Sequence, residues 1–202
     1  MSEHRECLVT REDLVAYLLT RVSCLTKVSL MKLAYLADLE HMSRYGRPLS
    51  EASYTRDHHG AVDYLILDAA EAMPFVRVEP VITWFGSAGK EYRATSALVD
   101  PADRLTVQAR AVLDGIVATY RTWSAADLGR LTKTTAPWKD AVERDSRVLR
   151  LAVVAPTNNL AHLSEVLKRV DRSTIGSAED LARRDASVDD CMQSYRVRAM
   201  GH

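Results

Sequence analysis

The stretch LMKLAYLADLEHMSRYGRPLSEASYTRDHHGAV, residues 30–62, decides between a helical and a sheet-based body. In its first half Leu30, Leu33, Ala34, Ala37 and Met42 recur at helical spacing, and Leu36 and Leu39 widen the apolar face. So broad a face belongs to a central helix rather than a peripheral one. Lys32, Asp38 and Arg44 fall off that face and are expected to point elsewhere. Gly46 supplies a left-handed stop, and Pro48 bars continuation. The second half carries the cluster Asp57, His58, His59 ahead of Gly60, where a third helix is expected over 60–72. Val62, Leu65, Ile66 and Ala69 would line its inner side, and Pro74 would end it.

Outward from this stretch the pattern stays mainly helical. Thr10 can cap a first helix over 11–22, with Asp13 three residues on and Leu14, Leu18 and Val22 as its stripe. Phe75, Val76, Val78, Val81, Ile82, Trp84 and Phe85 are strand formers, and Gly86–Gly89 make a turn. An antiparallel hairpin over about 75–95 follows, with Pro80 at an edge or bulge. Asp100 then Pro101 opens a helix running through Leu105, Val112 and Ile116 to about Tyr120. Ser124 with Asp127 opens a short helix, SAADLGRL; a polar loop, TKTTA, leads to Pro137 and Trp138, which start another. Trp123 and Trp138 bracket that short helix and are expected to seat it on the core. The fold class is therefore mainly α with a small antiparallel β-hairpin or sheet (α+β), a compact helical domain over 8–146. Residues 147–202 read as an extension. LRLAVVAP (149–156) suits strand or helix, 159–170 an amphipathic helix, and Ser177 with Asp180 a last cap. Its end has little core potential, so the extension is expected to be mobile or to order on a partner.

Bulk properties narrow the function classes. The 202 residues hold 27 basic and 27 acidic side chains, so no global field draws the chain to nucleic acid or an anionic membrane. Cys7, Cys24 and Cys191 fit no disulfide framework, which suggests reduced thiols and a cytoplasmic home. The polar N-terminus lacks the apolar core of a signal peptide, and no apolar run is long enough to span a bilayer.

Chemical motifs are sparse. GSAGK at 86–90 lacks both the earlier glycine and the following Ser or Thr of a phosphate loop, and a hairpin turn explains its glycines. The histidine pair has more claim. With Asp38 and His41, one turn apart on the preceding helix, His58 and His59 could hold a metal or serve as acid–base groups. Against this, adjacent residues in extended chain point oppositely, and no HExxH-type spacing is present. The other reading is that the cluster closes a loop and caps a helix at Gly60. No nucleophile elbow or dinucleotide fingerprint occurs.

The order of the pieces resembles the Panacea domain, the SocA-like antitoxin family. That family shows a K-L-x-Y-x-A helix, then Y-G-x-P-L, then an aromatic-led extended segment ending in G-P-V. The matching positions are Lys32, Leu33, Tyr35, Ala37, Tyr45, Gly46, Pro48, Leu49, Tyr54, Gly60 and Val62. A second signature, a serine-initiated helix with a leucine-threonine-histidine step and P-W, is met by WSAADLGRLTKTTAPWKDA (123–141), ending on Pro137 and Trp138. Ala61 stands where the family has proline, and Lys133 where it has histidine. The histidine loss argues against family-wide chemistry at that position.

The resemblance implies that YTRDHHGAV is a loop into the third helix. It also implies an antitoxin: a non-catalytic protein, without cofactor or metal, that neutralises a cognate toxin by direct contact. A protease or chaperone as further partner and a homo-oligomer remain compatible with it. Two alternatives stand beside it, an enzyme built on Asp38, His41, His58 and His59, and an adaptor of the same fold in a phage or other mobile element. Tyr35, Arg44, Tyr54, Arg56, His58 and His59 are the candidate partner-binding residues, chosen on expected exposure around the second and third helices.

Overall fold

The computed structural model describes residues 8–82, 86 and 88–151; the chain divides into units 1–156 and 157–202, and every described residue lies in the first. Helix α1 (Arg11–Arg21) leads through strand β1 (Cys24–Thr26) into helix α2 (Lys27–Tyr45). Strands β2 (Thr55–Asp57) and β3 (Gly60–Val62) precede helix α3 (Tyr64–Ala72). Strands β4 (Val76–Ile82) and β5 (Ala88–Ala94) follow, then a 3-10 turn at Pro101–Arg104. Helices α4 (Val107–Tyr120), α5 (Ala125–Thr134) and α6 (Ala136–Glu143) complete the body, which is mainly helical with small antiparallel sheets.

Short polar side chains set where the helices begin. The hydroxyls of Thr10, Thr26, Thr106 and Ser124 accept from the N–H groups of Asp13, Ser29, Ala109 and Asp127 at 3.1–3.2 Å. Gly46, at φ 73°, ends α2 in the left-handed conformation. Helix α2 is the axis of the domain: every residue from Ser29 to Ser43 is buried, and it packs against α1, α4, α5 and β3.

The sheet confirms the expected hairpin and extends it. The strand order is β1-β5-β4, all antiparallel, with Leu25 opposite Tyr92 and Pro80 opposite Lys90. Pro80 lies on an edge strand, where proline is tolerated, and the one-to-one register excludes a bulge. Gly89 pairs with Val81 inside the ladder, so the turn lies before it rather than over 86–89, and GSAGK is part of a hairpin. The expected strand residues Trp84 and Phe85 lie outside the described residues.

Four expectations need correction. Lys32 and Asp38 do not point away from the core; both are 0% exposed. The third helix starts at Tyr64, not Gly60, because 60–62 pair with β2 as a strand, and Leu65 is exposed while Ile66, Leu67 and Ala70 are buried. The helix expected from Asp100 breaks in two. Asp100 caps the 3-10 turn through Ala102 N–H at 2.9 Å, and Thr106 starts α4 afresh. The polar TKTTA is not a loop; α5 runs through it to Thr134, and α6 follows at once with Pro137 in its first turn.

Residues 147–149 are tied to the body. Arg147 C=O accepts from Arg56 N–H at 2.6 Å, Leu149 N–H donates to Tyr54 C=O at 2.9 Å, and the Leu149 side chain is buried. The pairing therefore crosses the boundary expected at 146. The helices expected at 159–170 and after Ser177 lie outside the described residues.

Candidate interaction surface at the hairpin tip

The six nominated contact residues separate into three places. Tyr35 and Tyr54 are in the core, at 0% and 2% exposure. Their rings meet edge to face at 5.1 Å, and the Tyr35 hydroxyl lies 2.7 Å from that of Thr135. They brace a surface from beneath and do not present one. Arg44 is exposed at the far end of α2, paired with Glu40, three turns or about 18 Å along the helix from Lys32. Arg56, His58 and His59 sit together on the β2–β3 hairpin.

This hairpin is small, and its turn is built from the cluster the sequence singled out. Asp57 pairs with Gly60 across it; Asp57 Oδ1 accepts from His59 N–H at 3.1 Å and Oδ2 from the Tyr64 hydroxyl at 3.2 Å. Burial pushes the Asp57 carboxyl up, but these two bonds, with the charges of His59 and Lys32, outweigh it and hold the group below the ordinary carboxylate value. His58 and His59 are exposed, with ring centroids 4.8 Å apart. Arg56 reaches back to Asp145 at 3.1 Å.

Beneath the turn lies Lys32. Its ammonium donates to Ala61 C=O from a fully buried position. Burial lowers its pKa to about 8; Asp57 opposes that shift, and the nearby Lys133 cation reinforces it. Gly60, at φ 103°, makes this close packing possible. A Cβ there would stand 2.4 Å from Thr132 Oγ1 and 3.1 Å from Lys32 Cε. Gly129 on α5 likewise lets the His59 carbonyl approach to 3.2 Å of where its Cβ would be. The two stretches of the sequence that looked like separate signatures, 30–62 and 123–141, therefore meet at one place.

The four residues considered for metal or acid–base chemistry do not converge. The Asp38 carboxylate is internal, accepting from Ser50 N–H and Ser50 Oγ at 2.7 Å and from the Tyr54 hydroxyl at 2.6 Å. Burial raises its pKa, against the pull of the Tyr54 and Ser50 bonds. His41 is also buried, its Nδ1 2.9 Å from Arg47 C=O and its ring against Tyr45. Among the described residues, no group of three or more His, Cys, Asp or Glu could hold a metal ion. The enzyme alternative thus gains no support from the residues that suggested it.

Sequence reasoning missed the placement of Lys32, Gly129, Thr132 and Lys133 around the tip. Gly129 inside an otherwise helical run was the available signal, since an interior glycine marks a close approach.

No curated protein and no solved structure matches the chain. A family model does, over residues 30–139, more than half of the 202; it is described as antitoxin SocA-like, Panacea domain. That span runs from α2 to α6 and so contains both the hairpin and the helix it rests on. The chain belongs to the SocA-like antitoxin family and carries its Panacea domain.

Proposed function

We propose that the protein is the antitoxin of a toxin–antitoxin system and neutralises a cognate toxin by direct protein–protein contact. The observation that carries this reading is the family match over residues 30–139, from within α2 to within α6. The geometry is in keeping with a binding role. A helical scaffold with a buried axis holds the β2–β3 hairpin in a fixed pose, which limits the ordering cost of docking. Arg56, His58 and His59 are proposed as contact residues on that hairpin, with Arg44 on a separate face. Among the described residues no helix is long and apolar enough to cross a membrane, and the encounter is proposed to take place in the cytoplasm.

The test is genetic and then biochemical. The reading frame beside this one is expressed alone and together with it. Growth arrest by the neighbour, relief on coexpression and co-purification of the two chains are expected. A harmless neighbour with nothing co-purifying overturns the proposal.

A further inference from the structure

We infer that the β2–β3 hairpin tip, with Lys133 of α5, is a cationic docking site for an acidic segment of the protein partner. This rests on the reading that the chain acts by protein contact and specifies which surface and which chemistry do so. The first argument is a local charge imbalance. Lys133 is exposed, and among the described residues it has no ion pair; its charge adds to the lowering of the pKa of buried Lys32. His58 and His59 add two exposed imidazoles beside it, and the His59 carbonyl rests on Gly129, one helical turn before Lys133. Asp57 is the acid at this tip, and both of its oxygens are already engaged, by His59 N–H and the Tyr64 hydroxyl.

Unpaired cations also occur elsewhere among the described residues, at exposed Arg121, Lys139, Arg147 and Arg150, while four exposed arginines are matched. Arg44 pairs with Glu40, Arg104 with Asp13, Arg130 with Asp127 and Arg144 with Asp140. What distinguishes the tip is the grouping: Lys133 and two exposed imidazoles stand at one closely packed turn, and in a chain of zero net charge such a grouping is a local recognition feature rather than a global field.

The second argument is the neighbouring aromatic. Tyr64 is half exposed, its hydroxyl is fixed on Asp57, and Lys27 Nζ stands 5.5 Å from its ring centroid. A tyrosine face with a cation over it suits a peptide that offers carboxylates and an apolar side chain. A nucleic acid would need a longer basic stripe than this. The third argument is rigidity. The turn is clamped between Lys32 and Thr132 with no room for a Cβ at Gly60, so little freedom is lost when a partner docks.

The test uses the full chain, isotopically labelled, titrated with a hexaglutamate peptide, and in parallel with a short DNA duplex. Saturable amide shifts confined to residues 57–61 and 129–133 are expected with the peptide, weakening as salt is raised. Lys133→Glu, at an exposed position, should weaken the peptide about tenfold, whereas Arg121→Glu, exposed beyond α4, should leave it unchanged. Shifts spread over other basic residues, an unaltered Lys133→Glu titration, or tighter binding of the duplex than of the peptide would overturn the inference. The growth assay separates it from the broader reading. A Lys133→Glu chain that protects as well as the wild type removes the docking site and leaves neutralisation standing. A wild-type chain that does not protect removes neutralisation, and the titration still decides the surface.

Discussion

Lys32 has to lose its water for the hairpin to close over it, and the charged form bears that cost. An amine whose proton is held less tightly in the folded chain than in the unfolded one opposes folding wherever it is charged. With a folded value of about 8 against 10.5, the penalty is full below pH 8. It is relieved as pH rises towards 10.5, because the folded chain releases its proton first. The span corresponds to on the order of 3 kcal/mol. The Cys24 thiol, pushed up to about 12 by burial and by Glu91, acts with the opposite sign from its ordinary value of 9.0 upward, so it overlaps the upper part of this window. The measurement is therefore a comparison between wild type and Lys32→Met, both of which keep Cys24. Urea unfolding between pH 7.5 and 9.5 should show the difference in stability shrinking as pH rises, with the variant ahead at the lower end. A constant difference would mean that Lys32 is not titrating there. Gly60 gives a second residue-scale expectation. Gly60→Ala meets both a φ of 103° and the Thr132 hydroxyl, and should cost about 2–4 kcal/mol. Adding Thr132→Ala should return only part of that, since it removes the clash and leaves the backbone strain.

Helix ends were legible where a short polar side chain caps the start or a glycine stops the run, and Thr10, Ser124 and Gly46 do these jobs where the pattern placed them. The hairpin β4–β5 was legible from its β-branched run. Strand β3 was not, because GAV is too short to show alternation and abuts α3, whose cap at Asp63 is one more polar residue in a polar stretch. The buried sides of Lys32 and Asp38 were hidden for a related reason. A charged residue on a helix reads as solvated by default, and only the partners that fold back onto it reveal otherwise. Those partners tie α2 to the 50–54 segment: Asp38 holds Ser50 by backbone and side chain, and holds the Tyr54 hydroxyl. Tyr54→Phe removes one charge-assisted bond and is expected to cost about 1.5–3 kcal/mol. Asp38→Ala leaves the Ser50 and Tyr54 donors unpaired in a dry interior and should cost about 3–5 kcal/mol. Because both act on one network, the double variant should fall short of the sum, and chemical unfolding of the four chains of the cycle reads that coupling directly.

At the scale of the whole molecule, the question is where the folded body stops. A boundary at 146 follows from the fading of helical pattern after α6, but pattern is a poor guide to a segment that is held by backbone bonds. Arg147 and Leu149 exchange hydrogen bonds with Arg56 and Tyr54, so this stretch lies along β2 and supports the same hairpin from the side away from β3. Leu149 is 5% exposed, and Arg56, braced by Asp145, lies between this stretch and the tip. A chain ending at Ser146 therefore gives up two backbone bonds and a buried leucine, about 2–4 kcal/mol together, relative to a chain ending at Leu151. The loss should also be local in its effect. Amide exchange should quicken first at Arg56 and in the hairpin, while the axis of α2 keeps its protection. Equal stability of the two chains in urea, or exchange that quickens evenly through α2 and α4, would show that the body closes without residues 147–149 and that the hairpin owes its pose to Lys32, Gly60 and α5 alone.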